Sequence, residues 1–211
     1  HNQSRRQRQM CIRDSYPVKS MLGETPSEVT VSERGIQGDR AWATRDEVRG
    51  GIRGAKKLPQ LMLFGARSVD GNTSEITAPD GSTCLTSSDE MNHWLSEKLD
   101  HSVTLWPLLP PDNLEHYRRG APDSEDFEQE LREIFGRTPD EPLPDLSAFA
   151  EVIEFESPPG TYFDAFPIML MTQQSLDTMS QVAPNSVFDE KRFRANFILN
   201  VDGSTDRFPE Q

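Results

Sequence analysis

The sequence predicts a mainly β, α+β chain: a β-rich barrel over residues 16–110, an incomplete second barrel from about residue 150, and a few peripheral helices. Three observations carry this reading. Apolar residues, 34% of the chain, fall in short bounded runs rather than along long helical periods. Turn-forming clusters such as Asp70-Gly71-Asn72 and Pro79-Asp80-Gly81 separate those runs, and evenly spaced short strands of this kind suit a barrel or sandwich. Helical patterning is confined to isolated segments.

Residues 1–15 stand apart from the rest. His1 to Asp14 has no apolar period and holds four arginines, and Met10-Cys11-Ile12-Arg13-Asp14-Ser15 resembles translated sequencing-adapter read-through, so this stretch is read as a non-native tail. From residue 16 the strand signals are Val29-Thr30-Val31, Ala41-Trp42-Ala43-Thr44, Leu61-Met62-Leu63-Phe64 and Val103-Thr104-Leu105-Trp106. One helix interrupts them: Ser87 and Glu90 have capping-box spacing, and Met91, Trp94, Leu95 and Leu99 then share a face. Residues 111–148 read as a helix over Ser124–Phe135, stopped by Gly136, and an acidic Pro-rich linker from Thr138 to Pro144. Strand signals return from residue 149: Val152-Ile153-Glu154-Phe155, a continuous apolar run over Pro167–Met171 suited to a buried strand, and Phe197–Val201. Thr172 caps a short helix with Leu176 and Met179 inward.

The formal charge is −13, and −16 without residues 1–14, which carry four arginines and one aspartate. Non-specific nucleic-acid binding needs a basic surface, so nucleic acid is excluded as a partner. No run approaches the roughly 18 apolar residues of a membrane span, and no apolar region marks a secretory signal. Cys11 and Cys84 are too few for a disulfide framework, which points to a reducing cytoplasm.

Five blocks could carry chemistry. Lys19 and Ser20 end a strand and offer donors to an anion; the alternative is an ordinary exposed strand end. In Arg34–Arg40 two glycines three apart allow a tight turn that brings N–H groups near a ligand, and Arg40 offers a planar fork; the alternative is a structural turn with an Asp39–Arg40 ion pair. The Gly50–Lys57 stretch lacks the spacing of a phosphate loop but adds positive potential. Thr172 opens a helix whose first N–H groups could meet an anion, or is a plain cap. Arg194 and Asn196 lie two apart and in an extended segment would share a face; the alternative is a surface arginine and a turn asparagine. His1, His93, His101 and His116 show no metal-ligand spacing, no Ser-His-Asp order is legible, and Cys84 reads as a small core residue.

Taken in order, Tyr16-Pro17-Val18-Lys19-Ser20, the Gly35–Trp42 block, Pro158–Asp164, the Thr172–Leu176 turn and the Phe193–Asn196 end resemble proteins with an N-terminal MOSC β-barrel and a MOSC domain. That family includes the mitochondrial amidoxime reducing component and its bacterial relatives, and similar domains end the molybdenum-cofactor sulfurases. The resemblance implies a molybdenum cofactor (Mo-molybdopterin) between two barrels, contacted by Lys19, Ser20 and Arg40 from the first and by Thr172, Arg194 and Asn196 from the second. It also carries a family-level association with pyridoxal phosphate. Lys19, Arg40, Arg194 and Asn196 are then expected to converge on one cleft. Ala195 departs from the proline usual at that position. The implied activity is reduction of N-hydroxylated small molecules with an electron-transfer partner protein; the alternatives are a sulfur-carrier or cofactor-handling module without redox turnover, and a barrel-shaped interaction domain. In that family the metal's cysteine lies beyond the Phe-Arg-x-Asn end. None occurs in the 15 residues after Asn196, so the ligand cysteine is expected beyond Gln211. The expectation is therefore a fragment, with residues 149–211 the first part of a MOSC domain, no catalytic residue or metal ligand of its own, and no turnover.

Overall fold

Short strands separated by tight turns make up most of the regular structure. A computed structural model of the chain describes residues 9–122, 127–145, 154–164 and 166–200. In chain order its strands are β1 (Gln9–Arg13), β2 (Val31–Ser32), β3 (Gly35–Ile36), β4 (Trp42–Asp46), β5 (Ile52–Arg53), β6 (Gly65–Ser68), β7 (Ser74–Thr77), β8 (Thr83–Leu85), β9 (Val103–Pro107), β10 (Leu170–Thr172) and β11 (Phe197–Asn200). The helices are α1 (Met91–Leu99), α2 (Leu114–Tyr117), α3 (Phe127–Phe135) and α4 (Gln173–Val182).

Strand β4 sits between β5 and β9, antiparallel to both, with Thr44 opposite Arg53 on one side and Leu105 on the other. The β6-β7-β8 meander is turned by two aspartates that act as the sequence suggests. Asp70 accepts the Asn72 and Thr73 N–H groups at 3.1 and 2.9 Å, and Asp80 accepts that of Ser82 at 2.9 Å. Helix α1 buries Met91, Leu95 and Leu99 against Val18, Leu61, Ile76 and Val103. One i, i+4, i+8 face thus holds this core together, as the apolar period predicts.

A second core joins distant parts of the chain. Tyr117 and Tyr162 are both fully buried with Ala43, Ile52 and Phe155. The Tyr162 hydroxyl donates to Pro107 O at 2.8 Å and lies 2.7 Å from His116 Nε2. Since one hydroxyl proton cannot serve both, His116 donates through Nε2–H; burial, with the charge of Arg45, holds its pKa below the ordinary value. In the third unit β11 lies between β1, antiparallel, and β10, parallel. Parallel neighbours need a crossover, and α4 provides it. Thr172 Oγ1 accepts Ser175 N–H at 3.2 Å, and Leu176 packs on Met171, Ala195 and Ile198. Gln9–Arg13, within the stretch set apart by composition, supplies β1.

The fold is mainly β, with its strands in small ladders and no closed barrel among the described residues. Several local expectations are corrected. Leu61–Phe64 is not a strand: Pro59 opens a 3-10 turn over Pro59–Leu63, whose Leu61 and Phe64 N–H groups bond three residues back, to Leu58 and Leu61. The Ser87–Glu90 capping box does not form; α1 starts at Met91 without a side-chain cap. The Pro167–Met171 run is strand only from Leu170, and Met169 and Leu170 are exposed rather than buried. Val29-Thr30-Val31 yields only the two-residue β2. Val152 and Ile153 lie outside the described residues, and Phe155 forms an isolated bridge with Arg118.

Leu95 is fully buried at the centre of the α1 face, so Leu95→Ala should cost about 2–5 kcal/mol. Urea unfolding of the variant should show a lower midpoint with an unchanged slope; a midpoint equal to the parent's would show that α1 does not anchor this core.

Candidate functional site

Among the described residues four non-glycine residues adopt left-handed backbone: Ser20 (φ 67°), Arg40 (φ 48°), Asp100 (φ 50°) and Arg194 (φ 53°). Asp100 merely ends α1. The other three are site residues expected from the sequence, and they line one cleft of about 540 Å³ together with Lys19, Lys56 and Tyr162. Strained backbone held at several points of one cavity is the usual mark of a built site.

The Arg34–Arg40 loop gets there through its glycines. Gly35 and Gly38 have φ of +94° and +84°, values that L side chains rarely adopt. After this turn, Arg40 N–H donates to Tyr16 O at 2.7 Å, and Asp39 Oδ1 accepts Tyr16 N–H at 2.7 Å. Asp39 Oδ2 pairs with Arg40 Nη1. The ion pair and the cleft-lining role therefore coexist. Arg40 also reaches Arg194 O at 3.5 Å, and the two guanidinium carbons lie 5.2 and 4.4 Å from the centre of the Tyr16 ring. Burial and the charge of Arg40 push the Arg194 pKa down to about 10. Two cations crowded around one ring, in a partly dry setting, favour an anion between them.

Lys19 is neither exposed nor a strand end. It is buried, and its Nζ donates to Ser157 Oγ (3.2 Å), Tyr162 O (2.8 Å) and Asp164 Oδ1 (2.7 Å). Burial pushes the ammonium pKa down and Asp164 opposes the shift only in part. Ser20 Oγ accepts Ala55 N–H at 2.9 Å, which draws the Gly54–Lys56 stretch to the cleft wall. This gives that glycine-rich stretch its place: Lys56 adds positive charge and no phosphate loop forms.

Thr172 and Asn196 do not line the cleft. Thr172 is buried as the cap of α4. Asn196 is fully buried; its side chain accepts Met169 N–H at 3.1 Å and donates to Asp14 O at 3.2 Å. The expected shared face with Arg194 does not form, because Arg194 turns left-handed instead of continuing an extended strand. Glu156, Asp164 and the apolar lip of Phe166, Met169 and Leu170 line the cleft and were missed from sequence. Of these, Asp164 ends a motif with no legible role, and the lip carries the pattern of core. Among the described residues no group of three or more His, Cys, Asp and Glu could hold a metal ion, and Cys84 does not line the cleft. Gln211, beyond which the resemblance puts the metal's cysteine, lies outside the described residues, as does the whole of residues 201–211. The cleft is therefore defined without that end of the chain.

Removing the buried Asp39 carboxylate would leave Arg40 and the Tyr16 N–H without their partner. Asp39→Ala should cost about 3–5 kcal/mol, read as a lower midpoint in urea unfolding. A loss below about 1 kcal/mol would mean the pair is no keystone.

Residues 14–102 match the family model of the MOSC N-terminal beta barrel domain. No curated protein matches the chain. The Tyr16–Ser20 and Arg34–Trp42 blocks, helix α1 and the loop carrying Lys56 all fall inside that stretch, so it is this part of the chain that is similar to the MOSC N-terminal beta barrel domain.

Proposed function

We propose that the cleft binds the molybdenum cofactor through its pterin and phosphate, and that the chain serves an oxidoreductase reducing N-hydroxylated compounds with electrons from a partner protein. The observation that carries this is the Arg40–Arg194 pair on left-handed backbone at the wall of a 540 Å³ cleft, in a chain whose overall charge is −13. A local cationic cluster against so strong an opposite field calls for an anionic ligand.

The residues fit the organic part of the cofactor. Among the described residues the Arg194 side chain donates one hydrogen bond, from Nη1 to Met21 O, and a guanidinium has five N–H donors, so several remain to grip a phosphate or a pterin edge. Arg40 supports it from the facing turn, and Lys56 adds charge. The Met62 and Phe193 side chains, also on the wall, offer apolar contact to a planar ring. The described cleft residues supply no thiolate for the metal. When bound, the cofactor supplies two-electron redox chemistry; the chain's own residues bind it, orient it and balance its charge. A cytoplasmic setting belongs to the same proposal and rests on the sparse cysteines. No described helix is long and apolar enough to cross a membrane.

The test is cofactor content. The chain, produced in a host that makes the cofactor, should co-purify with pterin, detected by fluorescence after oxidation. Arg194→Ala should lower pterin occupancy about ten-fold, as expected for one charge-assisted contact. Wild-type protein free of pterin, or an Arg194→Ala variant with undiminished occupancy, would overturn the assignment.

A further inference from the structure

The Lys19 ammonium has three donors, and all three are engaged: by Ser157 Oγ, Tyr162 O and Asp164 Oδ1. Two of these acceptors are fixed. Ser157 and Tyr162 are buried, each about 1% exposed. The third is not: the Asp164 side chain is 73% exposed, against 7% for Lys19. Only the Asp164 bond can be given up by a simple rotation of a side chain into solvent, so a cleft ligand reaches Lys19 only by taking the place of Asp164.

Resting on the reading of the cleft as an anion site, we propose that Asp164 is an internal competitor, a carboxylate that an anionic ligand must displace from Lys19. The carboxylate occupies the one Lys19 donor whose acceptor is exposed, so an incoming anion exchanges with it. A monoanionic carboxylate only replaces one single charge by another of the same kind. A dianion such as a phosphate monoester restores that charge and brings a second, which falls to Arg40, Lys56 and Arg194 on the same wall. Glu156 lines the cleft as well and adds negative charge that an incoming anion must overcome. The electrostatics of the cleft agree. Partial burial works to raise the Asp164 carboxyl, but Lys19 beside it and the charges of Lys56 and Arg40 hold it below the ordinary carboxylate value. Asp164 thus already behaves as the anion this cluster needs, and a ligand must outdo it.

Calorimetric titration of the full chain with phenyl phosphate and with benzoate, at pH 8, tests this. The two probes share a ring and differ in charge. Wild type should prefer phenyl phosphate by about ten-fold or more. Asp164→Asn keeps a neutral acceptor for Lys19 and should bind both probes more tightly, phenyl phosphate by roughly five-fold and by at least as much as benzoate, the scale of one partly exposed ion pair. Asp164→Ser, checked like the first variant by its thermal midpoint, should tighten both probes in the same way. If wild type binds phenyl phosphate but neither variant binds it more tightly, the competitor role falls and the anion site stands. If neither wild type nor variant binds phenyl phosphate, the anion-site reading falls and this proposal with it.

Discussion

The buried carboxylate of Asp39 is the interaction on which the rest of the site depends. One oxygen accepts the Tyr16 N–H and the other pairs with Arg40, while the Asn196 side chain bonds to the same group. Three segments that are far apart in the chain meet on one carboxyl. Burial raises its pKa, and the charge of Arg40 with the hydrogen bonds opposes this without cancelling it. A charge kept in so dry a place is costly unless every partner is present. Loss of any partner therefore penalises all, which ties the Tyr16 segment, the glycine turn and the Arg194 turn into one unit. Asn196 extends the knot to Asp14 and Met169.

That knot explains how an acidic chain sustains a basic cleft. Arg40 is held beside Arg194 by Asp39 and by the shared face of Tyr16. Neither arginine could relax away without leaving a left-handed turn that is itself fixed by buried hydrogen bonds. The strain at Ser20, Arg40 and Arg194 costs about 1–3 kcal/mol at each position, and it is sustained by the buried packing and hydrogen bonds around Tyr16, Val18 and Asn196. Lys19 plays a different part. With two core acceptors it is first a rivet between the N-terminal segment and residues 157–164, and only its third donor is available to function.

Much of this was legible in the sequence and some was not, for physical reasons. The aspartate turns, the Met91–Leu99 face, the Thr172 cap and the positive φ of Gly35 and Gly38 follow from local chemistry, so local patterns reveal them. The strand assigned to Leu61–Phe64 failed because apolar runs of that length do not distinguish a strand from a 3-10 turn. Left-handed Ser20, Arg40 and Arg194 carry no glycine to announce them; tertiary hydrogen bonds impose that backbone. Lys19 could be chosen as a candidate, but its acceptors lie 138–145 positions away, beyond the reach of any local pattern. Asn196 has the look of a ligand-facing residue and is an interior brace. Asp164 gave no signal at all, since a lone carboxylate in a Pro- and Gly-rich segment is ordinary until its partner is known.

The central claim is that Arg40 and Arg194 jointly form an anion site. Diffraction from crystals of the chain grown with phenyl phosphate addresses it most directly. The account predicts phosphate oxygens about 2.8 Å from guanidinium nitrogens of both arginines, with the Asp164 carboxylate turned away from Lys19. Phosphate bound at another surface, with the Arg40–Arg194 cleft unchanged and the Lys19–Asp164 contact intact, would contradict it.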